Sequence, residues 1–141
     1  MATHLITGGA GFIGSHLADY LVERGENVVV IDNLTTGSYC NIEHLEGRSG
    51  FKCYIEDIRH ETLIDELIRD SDRIYHLAAS VGVRLIIDKP TESLINNIVG
   101  TERVLRSASR YRKSVQEILA KCFLTRAISP IRRAVNCVSV E

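Results

Sequence analysis

Leu5-Ile6-Thr7-Gly8-Gly9-Ala10-Gly11-Phe12-Ile13-Gly14-Ser15-His16-Leu17 decides the fold of this chain. Glycines at 8, 11 and 14 follow a short apolar run and precede an amphipathic one. That order reads as a strand, a tight turn and a helix start. Glycine reaches the positive φ of such a turn without a Cβ penalty. The helix start presents unpaired backbone N–H groups and the positive end of a dipole. Together they make a seat for a diphosphate.

The flanks support this reading. Ile13, Leu17, Tyr20 and Leu21 fall on one helical face, and Arg24-Gly25 supplies a helix end. Val28-Val29-Val30-Ile31 follows, β-branched and without polar alternation, as a parallel strand covered on both faces requires. It ends in Asp32, 18 residues past Gly14, where a dinucleotide-binding βαβ unit places the acid that bonds the adenosine ribose. A glycine-rich turn in another α/β protein would explain the glycines alone, but not strand, helix, second strand and acid together. A carboxylate accepts both ribose hydroxyls and repels a 2′-phosphate, and no Lys or Arg occurs between Asp32 and Arg48. The expected cofactor is NAD rather than NADP.

The chain's 141 residues, 45% hydrophobic and 25% charged, suffice for one globular domain with a core. No apolar run approaches membrane-spanning length and no signal peptide opens the chain, so neither a membrane nor a secretory route is expected. Cys40, Cys53, Cys122 and Cys137 lack metal-ligand or redox spacing and read as free thiols of a reducing, cytoplasmic compartment. The histidines at 4, 16, 44, 60 and 76 show no metal-site pairing. Charge is unevenly spread, with 16 of the 18 acidic side chains before residue 103 and 9 of the 17 basic ones from residue 103 onward. Arg103, Arg106, Arg110 and Lys113 fall on one helix face, so a solvated face explains the excess and a nucleic-acid partner is not expected.

Further along, Thr35-Thr36-Gly37-Ser38 reads as a loop and Phe51–Ile55 as a third strand. Glu61–Arg69 reads as a helix with Leu63, Ile64, Leu67 and Ile68 inward, and Ile74–Ala79 as a fourth strand ending in small residues. Small side chains at the carboxyl end of a parallel strand let a cofactor approach the backbone. Thr91 follows Pro90 and starts a helix with Leu94, Ile98, Thr101, Leu105 and Ala108 on one face.

Thr7 to Leu17, Asp32-Asn33-Leu34, Asp57-Ile58-Arg59, His76-Leu77-Ala78-Ala79 and Asn97-Ile98-Val99-Gly100-Thr101 occur in the order and spacing of a known family. Over residues 1–113 the sequence resembles the NAD-dependent epimerase/dehydratases, extended short-chain dehydrogenase/reductases that act on nucleotide sugars. The resemblance implies that Gly8, Gly11, Phe12, Ile13 and Gly14 surround the diphosphate of NAD. Asp32 and Asn33 would hold the adenosine ribose, and Asp57 and Ile58 would meet the adenine. Leu77, Ala78 and Ala79 would line the path to the nicotinamide ribose, with Asn97 near the cofactor. Glu56 stands where the family usually has glycine. A UDP-type nucleotide sugar is the partner the resemblance implies.

Family catalysis uses a tyrosine with a lysine four residues later. A phenol with pKa near ~10 needs a neighbouring ammonium to act as a base at neutral pH. The tyrosines at 20, 39, 54, 75 and 111 are followed at that distance by Arg24, Glu43, Ile58, Ala79 and Val115, so the pair is absent from this sequence. No catalytic or metal-binding residue is therefore assigned.

The apolar positions 115, 118, 119, 122 and 123 have helical period, and no Gly or Pro interrupts residues 101–129. The expectation is that the helix from Thr91 runs on into the tail and that the family's fifth strand is lost. The fold class is then α/β, an incomplete Rossmann-type doubly wound parallel sheet of strand order 3-2-1-4, followed by a long helix and an atypical C-terminal tail. Residues 1–113 form the truncated NAD-binding domain and 114–141 a non-family tail, helical then irregular, as a shortened gene or shifted frame would give. The fourth strand becomes an open edge, which favours self-association through it or the long helix and lowers stability. Three functions stay open: the NAD-binding half of a nucleotide-sugar enzyme, not competent by itself; a non-catalytic dinucleotide-binding or oligomerising module; and an inert remnant.

Overall fold

The computed structural model describes residues 1–79 and 90–117. Its strands are β1 (Thr3–Thr7), β2 (Asn27–Asp32), β3 (Phe51–Ile55), β4 (Arg73–His76) and β5 (Ser114–Glu117). Its α-helices are α1 (Phe12–Glu23), α2 (Glu61–Arg69) and α3 (Pro90–Arg110). All strand pairs are parallel, in the order β3-β2-β1-β4-β5. The sheet is thus α/β and Rossmann-like, as expected, with one strand more than expected.

Successive strand residues point to opposite faces. Ile6, Val28 and Val30 pack with Ala18, Leu21 and Val22 of α1, with Ile42 between two short 3-10 turns and with Leu45 of the second. On the other face Leu5, Ile31 and Ile74 meet Ile64 and Ile68 of α2 and Val104 and Ala108 of α3. Full burial of each such side chain contributes about 1.5–3 kcal/mol. The two-sided cover explains why β2 shows no polar alternation.

Two helix faces differ from expectation. In α1 the sheet side carries Gly14, Ser15, Ala18, Leu21 and Val22, while Ile13 and Tyr20 are exposed. Gly14 lies against the Gly8 carbonyl and the Gly9 Cα, so the helix approaches too closely for a larger side chain there. The small residues turn inward and Tyr20 lies outside, beneath the Arg24 guanidinium at 5.2 Å. In α3 the buried positions include Gly100, Val104, Ser107 and Ala108, and Ile98 is 56% exposed. Gly100 faces Ile58, whose Cδ1 would be 2.5 Å from an added Cβ. That contact rotates the helix away from the stripe the apolar residues suggest.

The expected continuous helix and the loss of the fifth strand are both corrected. α3 stops at Arg110. Arg112 N–H donates to the Ser109 carbonyl at 3.2 Å and Lys113 N–H to the Ala108 carbonyl at 2.8 Å. These are the paired bonds of a Schellman stop, and Arg112 occupies its left-handed position at φ 52°. The chain then pairs with β4 in the register Arg73↔Ser114, Ile74↔Val115, Tyr75↔Gln116 and His76↔Glu117. Four strand residues are too few for periodicity to outvote the longer helical pattern around them. β4 is therefore an interior strand, so the expected association through its open edge loses its basis. The remainder of the tail, 118–141, lies outside the described residues.

Candidate functional site

The strand order reverses between β1 and β4, and ligands of open α/β sheets bind at the carboxyl ends of such strands. The glycine turn stands there. Gly8 has φ 73°, and its N–H donates to the Ile31 carbonyl at 2.8 Å. An added Cβ would lie 2.6 Å from the Ala78 nitrogen and 2.8 Å from the Ala78 Cα. Gly11 N–H closes the turn on the Gly8 carbonyl at 3.2 Å. Gly11 is also the N-cap of α1, with no side-chain cap and no acid in the first turn. The opening N–H groups of α1 are left for an anion. Phe12, at 79% exposure, and Ile13 sit in that first turn. The Phe12 ring leans on His16 at 4.8 Å.

Asp32 ends β2 and is buried. Its Oδ2 accepts from Ala10 N–H at 2.9 Å and its Oδ1 from Leu34 N–H at 2.8 Å. Leu34 adopts φ 57°, a left-handed conformation at a branched residue. The loop that follows folds back over the turn. Ser38 N–H (3.0 Å) and Asn41 Nδ2 (2.8 Å) both donate to the Ala10 carbonyl. Gly37 is closely packed, since an added Cβ would lie 3.0 Å from Ala10 and 3.1 Å from Asp32 Oδ1 and would press both outward. No sequence motif singles out the roles of Ala10, Gly37, Ser38 and Asn41. A glycine in a polar loop just after the acidic strand end was the available signal.

Asn33 reaches across to the end of β3, where its Nδ2 donates to Asp57 Oδ2 at 3.0 Å. Arg59 holds the same carboxylate through Nε at 2.9 Å, Nη2 at 2.8 Å and its backbone N–H at 2.8 Å. These bonds, the Arg59 side chain foremost, lower the Asp57 pKa to about 2. A carboxylate offers roughly four acceptor positions, and four donors occupy them here. Glu56, in the place of the family glycine, accepts the Asp57 N–H at 2.9 Å. Ile58 is half-buried against Gly100 of α3, so it serves the core as well.

The chain leaves β4 through Leu77, Ala78 and Ala79. Leu77 N–H donates to the Thr7 carbonyl at 3.0 Å, and Ala78 N–H to Thr7 Oγ1 at 3.3 Å. Leu77 is buried; Ala78 and Ala79 are half-buried. His76, 3% exposed, lies between Thr7 Oγ1 at 2.7 Å and Thr101 Oγ1 of α3 at 3.0 Å, and burial pulls its pKa down to about 4. Asn97 is half-buried one helical turn before Thr101. Glycine turn, Asp32 and Ala78 form one hydrogen-bonded unit. Asn33, Asp57 and Arg59 form a second beside it.

The model of the family described as GDP-mannose 4,6 dehydratase matches residues 5–122. The chain belongs to that family. The match begins within β1 and takes in β2 to β5. UDP-glucuronic acid decarboxylase 4 of Arabidopsis thaliana is 40% identical over 106 residues, 75% of this chain and 23% of the relative. UDP-N-acetyl-alpha-D-glucosaminuronate decarboxylase of Bacillus cytotoxicus is 40% identical over 111 residues, 79% of this chain and 34% of the relative. Among solved structures, dTDP-glucose 4,6-dehydratase of Streptomyces venezuelae with NAD and TYD bound aligns at TM-score 0.74 and 30% identity. The alignment covers 80% of this chain and 38% of that one. The UDP-glucose 4-epimerase of Thermotoga maritima with UDP-glucose aligns at TM-score 0.72 and 30% identity, over 82% and 37%. The chain thus spans about a quarter to a third of the length of these curated relatives. Among the described residues no helix is long and apolar enough to cross a membrane.

Proposed function

We propose that this chain binds NAD as the dinucleotide-binding half of a nucleotide-sugar epimerase/dehydratase fold. One observation carries the reading: the uncapped N-terminus of α1 faces a glycine turn pressed against Ala78, with the Asp32 carboxylate bonded to that same turn. The cradle fits the cofactor: a Cβ at Gly8 or Gly14 would collide with the backbone of Ala78 or of Gly8, so glycine at both places lets the turn close on β4 and α1 start tight against the turn with its opening N–H groups uncapped.

In this reading the N–H groups of Phe12 and Ile13 meet the diphosphate, with Gly8, Gly11 and Gly14 forming the close turn around it. Asp32 keeps acceptor capacity beyond its two backbone bonds and takes the ribose hydroxyls, helped by Asn33. Asp57 and Ile58 border the adenine, Leu77–Ala79 the nicotinamide ribose, and Asn97 the cofactor's reactive end. Bound NAD supplies a hydride acceptor. Asp32 disfavours a 2′-phosphate, so NAD is preferred to NADP.

The sugar-modifying chemistry is not assigned to this chain alone, because no tyrosine of the sequence has a lysine four residues on. A UDP-type sugar is the partner class proposed for the complete fold. The cytoplasm is the proposed compartment, where Cys40 and Cys53, both free thiols, would remain reduced. Calorimetric titration with NAD, NADP and ADP-ribose tests the binding. Saturable binding of NAD and ADP-ribose with weaker NADP is expected, and no heat with any of the three refutes it. Conversion of a UDP-sugar by the purified 141-residue chain would overturn the assignment of chemistry elsewhere.

A further inference from the structure

The Thr7–His76–Thr101 chain is not accounted for by any ligand contact assigned above. It joins the end of β1, the end of β4 and the middle of α3. An apolar side chain at residue 76 would fill the same buried volume without the cost of burying an imidazole. The pairings fit a proton arrangement that satisfies every member. Ala78 N–H donates to Thr7 Oγ1, the Thr7 hydroxyl donates to His76 Nδ1, and His76 Nε2–H donates to Thr101 Oγ1. The arrangement requires the neutral imidazole with its proton on Nε2.

Ala78 is the decisive member. The β1–β4 pairing ends at His76, and Leu77 N–H takes the Thr7 carbonyl. The next amide, at Ala78, has the Thr7 hydroxyl as its acceptor. This same backbone forms the wall against which Gly8 packs. A hydroxyl turned by His76 therefore determines where the wall of the glycine turn stands.

We propose that His76 is a positioning residue. Through Thr7 it pins the Ala78 amide, and so fixes the backbone on which Gly8 packs and with it the glycine turn to which the proposed function gives the diphosphate of a dinucleotide. The ligand part of this inference rests on the proposed function; the pinning does not. Amide hydrogen exchange of the full chain, followed by NMR, tests the pinning, and titration with NAD tests its consequence. Thr7→Val and His76→Phe should speed exchange at Ala78 by tenfold or more relative to the core amides of β1 and β2. They should weaken NAD binding about tenfold under conditions where the protein is fully folded. Thr7→Ser, which keeps the hydroxyl, and His76→Gln, which can accept from Thr7 and donate to Thr101, should restore most of both. Should His76→Phe not fold, the near-isosteric Thr7→Val carries the test. If Ala78 exchange changes only in step with the core amides, or if the folded variants bind NAD as the parent does, the proposal is overturned. If the parent chain itself binds no NAD, the proposed function fails, and the exchange comparison still decides the pinning.

Discussion

Gly8 and Gly47 share a backbone conformation but not an environment. Gly8 has φ 73° and Gly47 φ 77°. A Cβ on Gly47 meets nothing within 4 Å, whereas one on Gly8 lies 2.6–2.8 Å from backbone atoms of Leu77 and Ala78. Gly47→Ala therefore pays only the left-handed penalty of roughly 1–2 kcal/mol. Gly8→Ala pays that penalty plus overpacking of about 1–3 kcal/mol, a total near ~2–5 kcal/mol. Backbone atoms held in the sheet edge cannot swing aside as a side-chain tip would. Urea denaturation of the parent and both variants measures the difference, and NAD titration of the folded variants measures the seat. Gly8→Ala should lose the larger stability and most of the affinity, while Gly47→Ala should keep its affinity. Equal losses from the two substitutions would refute the close approach of Ala78 to the glycine turn.

Acidification should destabilise the protein in two windows. His76 titrates at about 4 in the fold against 6.5 unfolded, so the unfolded chain binds more protons and stability falls as pH drops from ~6.5 to ~4, by about 3 kcal/mol. Urea midpoints across that range should show a steep slope in the parent and a shallower one in His76→Gln, where buried His4, its pKa also lowered by burial, keeps its share. Asp57, held at about 2 against 3.8, contributes stability above pH ~4 that is lost as pH falls toward 2, and Asp57→Asn should flatten that acid limb. Arg112→Gly should stabilise the fold by about 1 kcal/mol in thermal melts, because glycine takes the left-handed Schellman position without a Cβ penalty. Asp65 of α2 accepts from Ser107 Oγ at 2.7 Å, Tyr111 OH at 2.7 Å and Arg110 Nη1 at 3.1 Å. Asp65→Ala should cost about 2 kcal/mol in urea melts and raise amide exchange over α3 and β5 more than over β2.

The strands β1 to β4 and the helix α2 were legible because each carries a short apolar run between turn signals. The glycine turn and Asp32 were legible because their spacing belongs to one βαβ unit. What escaped reading depended on contacts distant in sequence. The inward face of α1 is chosen by Gly14 against Gly8, not by the largest apolar residues. The face of α3 is chosen by Gly100 against Ile58 and by Ser107 reaching Asp65. The stop at residue 112 carries an arginine where a glycine would have announced it, and β5 becomes a strand because Ile74 and Tyr75 offer it a ladder. The Thr7–His76–Thr101 chain spans 94 residues of sequence, and no local pattern connects its members.

The two hydrogen-bonded units of the site differ in readiness. Asp32 has two backbone donors, so about half of its acceptor capacity remains for ribose hydroxyls, and its position is held by the turn and by Leu34 before any ligand arrives. Asp57 has four donors and no capacity to spare. An adenine amino group can bond that carboxylate only by displacing one of them. Asn33 is the cheapest to displace, since it gives a single bond from an exposed side chain while Arg59 holds the carboxylate by three. In the proposed binding mode the ribose end is thus preformed and the adenine end exchanges one hydrogen bond for another, with little net gain. Affinity should therefore reside mainly in the diphosphate and ribose contacts. Asn33→Ala removes the competitor along with any help it gives the ribose, so it should alter NAD affinity far less than Asp32→Ala does.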